Sequence, residues 1–223
     1  MITSIADIKH TFYINLESRP DRKEFVENQL NSIGIKKPNR FNAVKMQNGA
    51  IGCSVSHLKI LEIARDNNWE HILIVEDDIL FLNPELFIQQ MNGFLGKHDD
   101  FDVLLLAGNN IPPYTPIDEC CVQVHSCQTT TGYLVKRHYY NKLIANYRDS
   151  LNKLMREPHN YSSFAIDKYW FNLQKTDKWY LIIPLSVTQR EDYSNIEKRN
   201  VNYTSLMLDL NKSYLMQRLQ FNH

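Results

Sequence analysis

The segment that most constrains this chain is residues 71–78, where an apolar run is followed at once by Glu76, Asp77 and Asp78. The apolar part is typical of a strand that is buried on both faces, as in a parallel sheet. Three carboxylates at one strand end repel one another, and a divalent cation relieves that repulsion. Because ligands of open α/β sheets bind outside the carboxyl ends of strands, the segment predicts a cation site at a ligand pocket.

A structural explanation of these acids stays open at this point. Asp77 or Asp78 would also suit the N-cap of a following helix or the first position of a turn, where aspartate is favoured. The residues elsewhere in the sequence have to decide between a cap and a cation site.

Length and charge limit the class of protein. With 223 residues, of which 43% are hydrophobic, the chain is predicted to form one sizeable α/β domain over residues 1–223. Lys and Arg number 25 and Asp and Glu number 25, so the formal net charge is +0. A general nucleic-acid-binding protein would show a basic excess, and no nucleic-acid partner is therefore expected.

The sequence shows no targeting segment or membrane span. Residues 1–10 contain Asp7 and Lys9 and lack the apolar core of a signal peptide, and no apolar run is long enough to cross a bilayer. The last residues are not a retention signal. We therefore expect a cytoplasmic protein, while peripheral membrane contact and the oligomeric state stay open.

The four cysteines predict reduced thiols. Cys53, Cys120, Cys121 and Cys127 have a spacing that fits no usual zinc pattern, and adjacent cysteines rarely bridge each other. A link between Cys120 and Cys127 stays open.

Strand-like and helix-like segments alternate through the first half, which predicts a mostly parallel sheet. Segment 109–119 contains Pro112, Pro113 and Pro116 and is predicted to be an irregular surface loop. Ser54 or Ser56 is expected to cap the helix that follows residue 53. The predicted strands are 11–16, 40–44, 71–75, 101–107, 121–124, 131–135 and 179–183, and the predicted helices are 20–33, 54–67, 84–95, 139–155, 167–173 and 201–219.

Two clusters near the start could bind or react with a ligand. Arg19 and Arg22 open the first helix, where free amide donors and the helix dipole suit a diphosphate. Taken alone, these residues are better explained by a solvated first turn with an Arg–Asp pair. His57 follows a run of small residues, 49–53, that lets another backbone approach closely. A histidine in this position is more often structural than catalytic, and Cys53 has no identifiable base beside it.

Two later clusters carry hydroxyls or an acid. Residues 129–133 place three threonines before Gly132 and Tyr133, which suits a sugar or phosphate pocket but also an edge strand. Asp167 opens a helix and could be its N-cap or, at a pocket mouth, a general base.

In their order along the chain these clusters resemble glycosyltransferase family 25, which includes bacterial lipooligosaccharide glycosyltransferases and collagen hydroxylysine galactosyltransferases. Two features depart from the family pattern: Asn195 stands where many relatives carry an acid, and the second transferase-like domain of the animal collagen enzymes is missing. The matching residues are Asn15 and Leu16 with Arg19, Asp21 and Arg22; residues 40–44; Gly52, Cys53, Ser56 and His57; residues 73–78; Thr131, Gly132 and Tyr133; Asp167; and Gln189 with Ser194, Asn195 and Ile196.

The resemblance implies a single domain of GT-A type, with a Rossmann-like, mostly parallel central sheet flanked by helices and a C-terminal helix over about residues 200–223. It also implies a metal-dependent, inverting transfer of a galactose-type or glucose-type hexose from a UDP-sugar. The acceptor would be a hydroxyl of a glycan, a glycolipid or a collagen-like hydroxylysine, as in lipopolysaccharide and other glycan biosynthesis.

The resemblance also implies a role for each matched residue. Asp78 would bind Mn²⁺ or Mg²⁺, with Glu76 or Asp77 as a further ligand or a contact to the ribose. Inversion needs a base for the acceptor hydroxyl, for which Asp167 is the first candidate and His57 the second. The donor site would be lined by Asn15, Leu16, Arg19, Arg22, Ser56, Thr131, Gly132, Tyr133, Gln189 and Ser194.

Two other functions remain open on the sequence alone. A metal-dependent nucleotidyltransferase would usually show a glycine-rich phosphate loop near its start, where this chain has only Arg19 and Arg22. A catalytically silent sugar-nucleotide-binding protein would be expected to have lost part of the acidic segment, and all three carboxylates are present.

Overall fold

The predicted alternation of strands and helices is present in the computed structural model, which describes residues 2–194 and 199–212. The strands in these residues are β1 (Thr11–Asn15), β2 (Asn39–Asn42), β3 (His71–Glu76), β4 (Ile79–Phe81), β5 (Val103–Leu105), β6 (Asn109–Asn110), β7 (Tyr114–Pro116), β8 (Cys121–Val124), β9 (Cys127–Gln128), β10 (Gly132–Lys136), β11 (Trp179–Ile182), β12 (Val187–Gln189), β13 (Asp192–Ser194) and β14 (Arg199–Val201). The helices are α1 (Pro20–Ser32), α2 (Gly49–Asp66), α3 (Pro84–Lys97), α4 (Tyr140–Arg156), α5 (Tyr161–Phe164), α6 (Ile166–Tyr169), α7 (Phe171–Gln174) and α8 (Thr204–Met207).

Eight strands form the central sheet in the order β2-β1-β3-β10-β5-β11-β8-β7. β1 is parallel to β2 and β3, and β5 is parallel to β11, while β10 and β8 run against their neighbours. Six of the eight strands therefore point the same way. The predicted α/β fold class, with a Rossmann-like and mostly parallel central sheet flanked by helices, is confirmed.

The order of the strands reverses at β1, because β2 and β3 lie on opposite sides of it. From β1 the chain passes through α1 to β2 on one side, and then through α2 to β3 on the other side. The loops that follow β1 and β3 thus diverge and leave a crevice at the carboxyl edge of the sheet, which is where α/β proteins bind ligands.

Helices cover both faces of the sheet because its central strands are apolar on both sides. In β3, Leu73 and Val75 pack into one core cluster with Val26 of α1 and Phe87 of α3. Ile72 and Ile74 point the other way and pack with residues of α2 and α4, such as Leu61 and Tyr147. The prediction that this strand is covered on both faces is confirmed, since residues 72–75 are fully buried.

The N-terminus of α2 differs from the prediction. The helix begins at Gly49, five residues earlier than predicted, because the side chain of Asn48 accepts hydrogen bonds from the amides of Ala50 and Ile51. Ser54 and Ser56 lie inside the helix, so the prediction that either caps it is wrong. The run of small residues does not break the helix, because an asparagine cap precedes it.

Two further predictions fail at segments with little periodicity. Segment 109–119 is not irregular throughout, since it contains β6 and β7, and Pro116 is tolerated because β7 is an edge strand. The predicted helix 201–219 is wrong at its start, where β14 ends at Val201 and only the single turn of α8 follows. Residues 213–219 of that prediction, and Asn195 and Ile196, lie outside the described residues.

The cysteines and the helices are described as follows. All four cysteines are free. Within residues 2–194 and 199–212, every helix is too short or too polar to span a bilayer.

Gly52 sits where α2 crosses the segment after β2 with no room for a side chain. A Cβ at this position would lie 2.4 Å from the carbonyl oxygen of Val44, which is a backbone atom. The hydroxyl of Ser56, one turn later, donates to Gly52 O and accepts from Val44 N at 2.9 Å, so the same approach is held by hydrogen bonds.

We predict that Gly52→Ala lowers the free energy of unfolding by about 1–3 kcal/mol, because the backbone of one segment has to move. Urea denaturation measures the change. The matched control is Gly96→Ala in α3, whose added Cβ would have no neighbour closer than 4.0 Å. That variant should be neutral or more stable by up to about 1 kcal/mol. Equal effects of the two substitutions would contradict the close approach at Gly52.

Candidate active site

The residues predicted to carry chemistry converge on one pocket of ≈ 800 Å³ at the carboxyl edge of the sheet. It opens between the ends of β1 and β3 and the segment that leads into β10. The predicted residues that line it are Leu16, Arg19, Arg22, Ser56, His57, Glu76, Asp77, Asp78, Asp167, Gln189 and Ser194. Asn15, Thr131, Gly132 and Tyr133 do not line it and lie beneath its wall.

The threonine cluster reaches this edge because β10 is antiparallel to β3. Gly132 pairs with Val75, so the residues before β10, rather than those after it, lie beside the acidic tip. The amide of Glu76 donates to the carbonyl of Thr131 at 2.9 Å. A Cβ at Gly132 would lie 2.8 Å from the terminal methyl of Ile79, so a larger residue here would require that side chain to move.

Glu76 is held by side chains from three segments: α2, the loop before β10, and β12. Its Oε1 accepts a hydrogen bond from the hydroxyl of Thr130 at 2.6 Å and lies 3.3 Å from Nε2 of His57. Its Oε2 has one long contact, 3.4 Å from Nε2 of Gln189. Burial alone would raise the pKa of Glu76, but the contacts with His57 and Thr130 outweigh it and lower the pKa below its usual value.

Asp77 is fixed from below and from the side. Its Oδ2 accepts from the amide of Asn15 at 2.8 Å, and its Oδ1 accepts from Nη1 of Arg22 at 2.9 Å. Asn15 also accepts from Nε of Arg40 at 3.1 Å, so its amide orientation is set. Asn15, which was predicted to line the base pocket, is 1% exposed and supports Asp77 instead.

Asp78 is the carboxylate with the fewest partners. Its Oδ2 lies 3.4 Å from Nη1 of Arg22, and its Oδ1 is buried without a hydrogen-bond partner in the described residues. Burial, with the nearby charges of Glu76 and Asp77, raises the pKa of Asp78 to about 8. Neither acid caps a helix: Asp77 and Asp78 form a turn into β4, and Asn83 caps α3. The cap explanation is therefore wrong, whereas the turn is present.

An orphaned, buried carboxylate oxygen is suited to a hard divalent cation, whose preferred ligands are oxygens. The three carboxylates do not form a single ligand cluster, because Glu76 turns towards His57 and Asp77 towards Asn15. In the described part of the chain, the cluster that includes Glu76 is completed by Cys53 and His57. Asp78 therefore fits the predicted cation best.

Arg22 joins the acidic tip to a distant hairpin. Besides Asp77 and Asp78, it donates from Nε to Oδ2 of Asp192 at 3.0 Å and from Nη2 to the carbonyl of Tyr193. Arg19 donates to the same Asp192 oxygen at 2.6 Å and also forms the Arg–Asp pair with Asp21 that the sequence left open. The two arginines thus lie in the pocket wall, each bound to carboxylates.

His57 is buried within a chain of polar side chains. Its Nδ1 lies 2.8 Å from the hydroxyl of Tyr133, to which the hydroxyl of Tyr147 donates at 3.3 Å, and its Nε2 faces Glu76. Both ring nitrogens are therefore occupied, and the side chain is 0% exposed. The arrangement orients Glu76, and it explains why Tyr133 lies under the pocket.

Asp167 lies at the start of α6, on the side of the pocket away from Arg22. Its Oδ2 accepts from the amide of Thr129 at 3.2 Å, and Thr129 adopts the left-handed conformation, with φ 83°. Burial raises the pKa of Asp167 above its usual value. A carboxylate with a raised pKa at a pocket wall is suited to proton transfer.

Sequence reasoning missed Thr130, Tyr147 and Asp192 as parts of this site. Thr130 lay inside a recognised cluster and only the strand register distinguishes it from its neighbours. Tyr147 and Asp192 carry no local signal. Tyr147 contacts Tyr133 on a different element, and the partners of Asp192, which are Arg19 and Arg22, lie far away along the chain.

We predict a specific pH effect on the metal-free protein. Because the folded-state pKa of Asp78 is raised to about 8 from an ordinary 3.8, ionising it opposes folding, and its contribution to stability is lost as pH rises from 4 to 8. Asp78→Asn should therefore gain stability relative to the wild type over this range, as measured by urea denaturation in EDTA. Asp66→Asn, at the exposed end of α2, is the control. Parallel curves for Asp78→Asn and wild type would contradict the buried state of Asp78.

Comparison with known proteins shows which family these features are similar to. The sequence model of glycosyltransferase family 25, described as an LPS biosynthesis protein, matches residues 36–124. A protein of Acanthamoeba polyphaga mimivirus named procollagen lysyl hydroxylase and glycosyltransferase is 24% identical over 213 residues. That alignment covers 76% of this chain and 24% of the viral protein, so the chain spans about a quarter of its relative's length.

Solved glycosyltransferase structures are similar at a lower level. A glycosyltransferase involved in glycosylation of the major capsid of PBCV-1 has a TM-score of 0.47 and 11% identity, over 77% of this chain and 81% of that chain. Drosophila β1,4-galactosyltransferase 7, as a mutant in complex with manganese, UDP-Gal and xylobiose, has a TM-score of 0.44 and 13% identity, over 95% of this chain and 79% of that chain.

The family match includes three of the motifs on which the resemblance was based. These are residues 40–44, Ser56 with His57 in α2, and residues 73–78 at the end of β3. The predicted resemblance to glycosyltransferase family 25 is thereby confirmed over residues 36–124.

Proposed function

We propose that this chain is a metal-dependent, inverting hexosyltransferase that moves a galactose-type or glucose-type sugar from a UDP-sugar to an acceptor hydroxyl. The observation that carries the proposal is Oδ1 of Asp78, which is buried and has no hydrogen-bond partner among the residues that the structure describes. The Asp78 side chain as a whole is 18% exposed in the pocket wall. A carboxylate in this state is stabilised by a cation, and a cation beside two arginines is stabilised by a diphosphate.

The charges of the pocket support a sugar nucleotide as the ligand. Arg19 and Arg22 stand on the β1 side of the pocket, where they can bind phosphate oxygens once the diphosphate competes with their carboxylate partners. Leu16 follows β1 directly and offers an apolar surface for the base. The Drosophila relative was solved with manganese and UDP-Gal, which agrees with this choice of cation and donor.

Asp78 would hold the Mn²⁺ or Mg²⁺ ion. When bound, such an ion neutralises negative charge on the departing diphosphate. Asp77 has both oxygens engaged by Asn15 and Arg22, whereas Oε2 of Glu76 has only the long contact with Gln189. We therefore assign Glu76, rather than Asp77, to the second contact with the ion's water or the ribose. Asp77 keeps Arg22 in place.

Asp167 is the proposed base. It lines the pocket opposite the arginines, and its raised pKa favours proton acceptance from an acceptor hydroxyl as the hydroxyl oxygen attacks the anomeric carbon. His57 has both nitrogens occupied by Tyr133 and Glu76, so we assign it to positioning Glu76. Ser194 and Gln189 remain donor-site residues in this assignment.

The acceptor is the least specified part of the proposal. The family description points to lipopolysaccharide, and the name of the viral relative points to procollagen lysine. A glycan, a glycolipid and a collagen-like hydroxylysine are therefore the acceptor classes to compare.

The proposed function is tested with a panel of nucleotide sugars and Mn²⁺, by following release of the nucleoside diphosphate. We expect UDP-galactose or UDP-glucose to be hydrolysed slowly without an acceptor, and EDTA to abolish the release. Asp78→Asn should lower the metal-dependent rate at least about a hundredfold, since a direct charge contact to the leaving group is lost. Asp66→Asn is the matched surface control. Full activity of Asp78→Asn, or of the wild type in EDTA, would reject the metal role.

Asp167→Asn separates donor binding from transfer. The amide keeps the size of the carboxylate but cannot accept the proton, so the transfer rate should fall about a hundredfold or more while the Kd for UDP stays within about twofold. Isothermal titration measures the Kd, and product analysis with an active acceptor measures the rate. A turnover equal to that of the wild type would exclude Asp167 as the base.

A further inference from the structure

A second cluster of potential metal ligands lies outside the pocket, at the far side of the sheet. It consists of His98, just after α3, with Asp118 from the turn that joins β7 to β8 and Cys121 at the start of β8. None of the three lines the ≈ 800 Å³ pocket. The glycosyltransferase function makes no use of them, and the spacing of the cysteines alone did not indicate them.

The ligand atoms of this cluster already face one another. Nε2 of His98 lies 2.8 Å from Oδ2 of Asp118 and 3.9 Å from Sγ of Cys121, and all three atoms lie within 4.8 Å of one another. Zinc bonds of about 2.0–2.3 Å in a tetrahedral site place ligand atoms roughly 3.3–3.8 Å apart. The separations found here bracket that range, so small side-chain shifts would admit the ion.

The side chains are held in this arrangement by their surroundings. The other carboxylate oxygen of Asp118, Oδ1, accepts from the amides of Cys120 and Cys121 at 2.8 and 3.1 Å, which fixes Oδ2 towards His98. The ring of His98 packs between Phe94 and Tyr180, with centroids 4.9 and 6.1 Å away. Orientation of ligands by such neighbours is the usual support of a metal site.

The chemistry of the three ligands favours zinc over the cation of the pocket. An imidazole nitrogen and a thiolate are soft or borderline ligands, which suit Zn²⁺, whereas Mg²⁺ and Mn²⁺ prefer oxygen. The side chains of His98 and Asp118 are 23% and 21% exposed, so water has access to a fourth position. A site with three protein ligands and one water is an established zinc arrangement.

We propose that His98, Asp118 and Cys121 bind one Zn²⁺ ion, with water as the fourth ligand. On binding, the Cys121 thiol loses its proton to solvent and its sulfur bonds to the ion. His98 gives up the Nε2 proton that it donates to Asp118 and binds as the neutral imidazole with its proton on Nδ1, so the hydrogen bond between His98 and Asp118 is replaced by two bonds to zinc. The ion then ties the end of α3 to the turn before β8. This zinc site is independent of the pocket and of the cation proposed there.

The proposal is tested by metal binding rather than by activity. Metal-free wild-type protein is titrated with Co²⁺, a spectroscopic substitute for zinc, and the sulfur-to-cobalt absorption band in the near ultraviolet is followed. We expect one Co²⁺ per chain to produce the band and one Zn²⁺ to remove it by displacement. Zinc should also raise the thermal unfolding temperature of the metal-free protein.

Substitutions then locate the ion. Cys121→Ser should abolish the band, and His98→Gln and Asp118→Asn should weaken zinc binding at least about tenfold. His98→Gln changes a partly exposed side chain, so it remains informative if Cys121→Ser does not fold; circular dichroism reports folding of each variant. Asp78→Asn should leave the band unchanged, which separates this site from the catalytic one.

Cys53→Ser is the decisive control, because Cys53, His57 and Glu76 form the other described cluster with a thiol. A band that persists in Cys53→Ser and disappears in Cys121→Ser supports the proposal. A band that disappears in Cys53→Ser and persists in Cys121→Ser places the metal in the pocket and overturns it. Absence of any band in the folded wild type also overturns it, and leaves His98 and Asp118 as an ordinary ion pair.

Discussion

The site depends on the surroundings of three neighbouring carboxylates at the end of β3. These surroundings offset the repulsion between the carboxylates. Each receives a different environment: Glu76 faces His57 and Thr130, and Asp77 faces Asn15 and Arg22. Asp78 receives only a share of Arg22, and its remaining oxygen is buried without a partner in the described residues. Glu76 and Asp77 are thus hydrogen-bonded within the protein, whereas the negative charge of Asp78 is only partly compensated.

The sheet supplies these environments through its one reversed strand beside β3. Because β10 runs against β3, its entry segment brings Thr130 to Glu76 and places Tyr133 under His57. A parallel strand in this place would have put its loop with hydroxyls at the opposite edge of the sheet. The same reversal lets Thr129 hold Asp167 across the pocket, so both walls of the pocket are positioned by one short segment.

Much of this arrangement could be predicted from the sequence, because it depends on local patterns. The apolar run before Glu76 identified β3, and the order of the motifs identified the family and the participating side chains. The sequence could not show that Asn15 lies beneath Asp77 or that Asn48, not a serine, begins α2, since these depend on which side chains meet after folding. Asp192 was missed for the same reason, as its partner Arg22 is 170 residues away in sequence.

Arg22 is shared by three carboxylates, and this sharing would affect ligand binding in the pocket. One guanidinium contacts Asp77, Asp78 and Asp192 and so links the strand tip to the β13–β14 hairpin. Under the proposed function, a cation at the tip would neutralise part of the charge that Asp78 presents to this arginine, and a donor phosphate would compete with Asp192 for it. Donor binding and the position of β13 and β14, more than a hundred residues downstream, would then depend on the same arginine side chain.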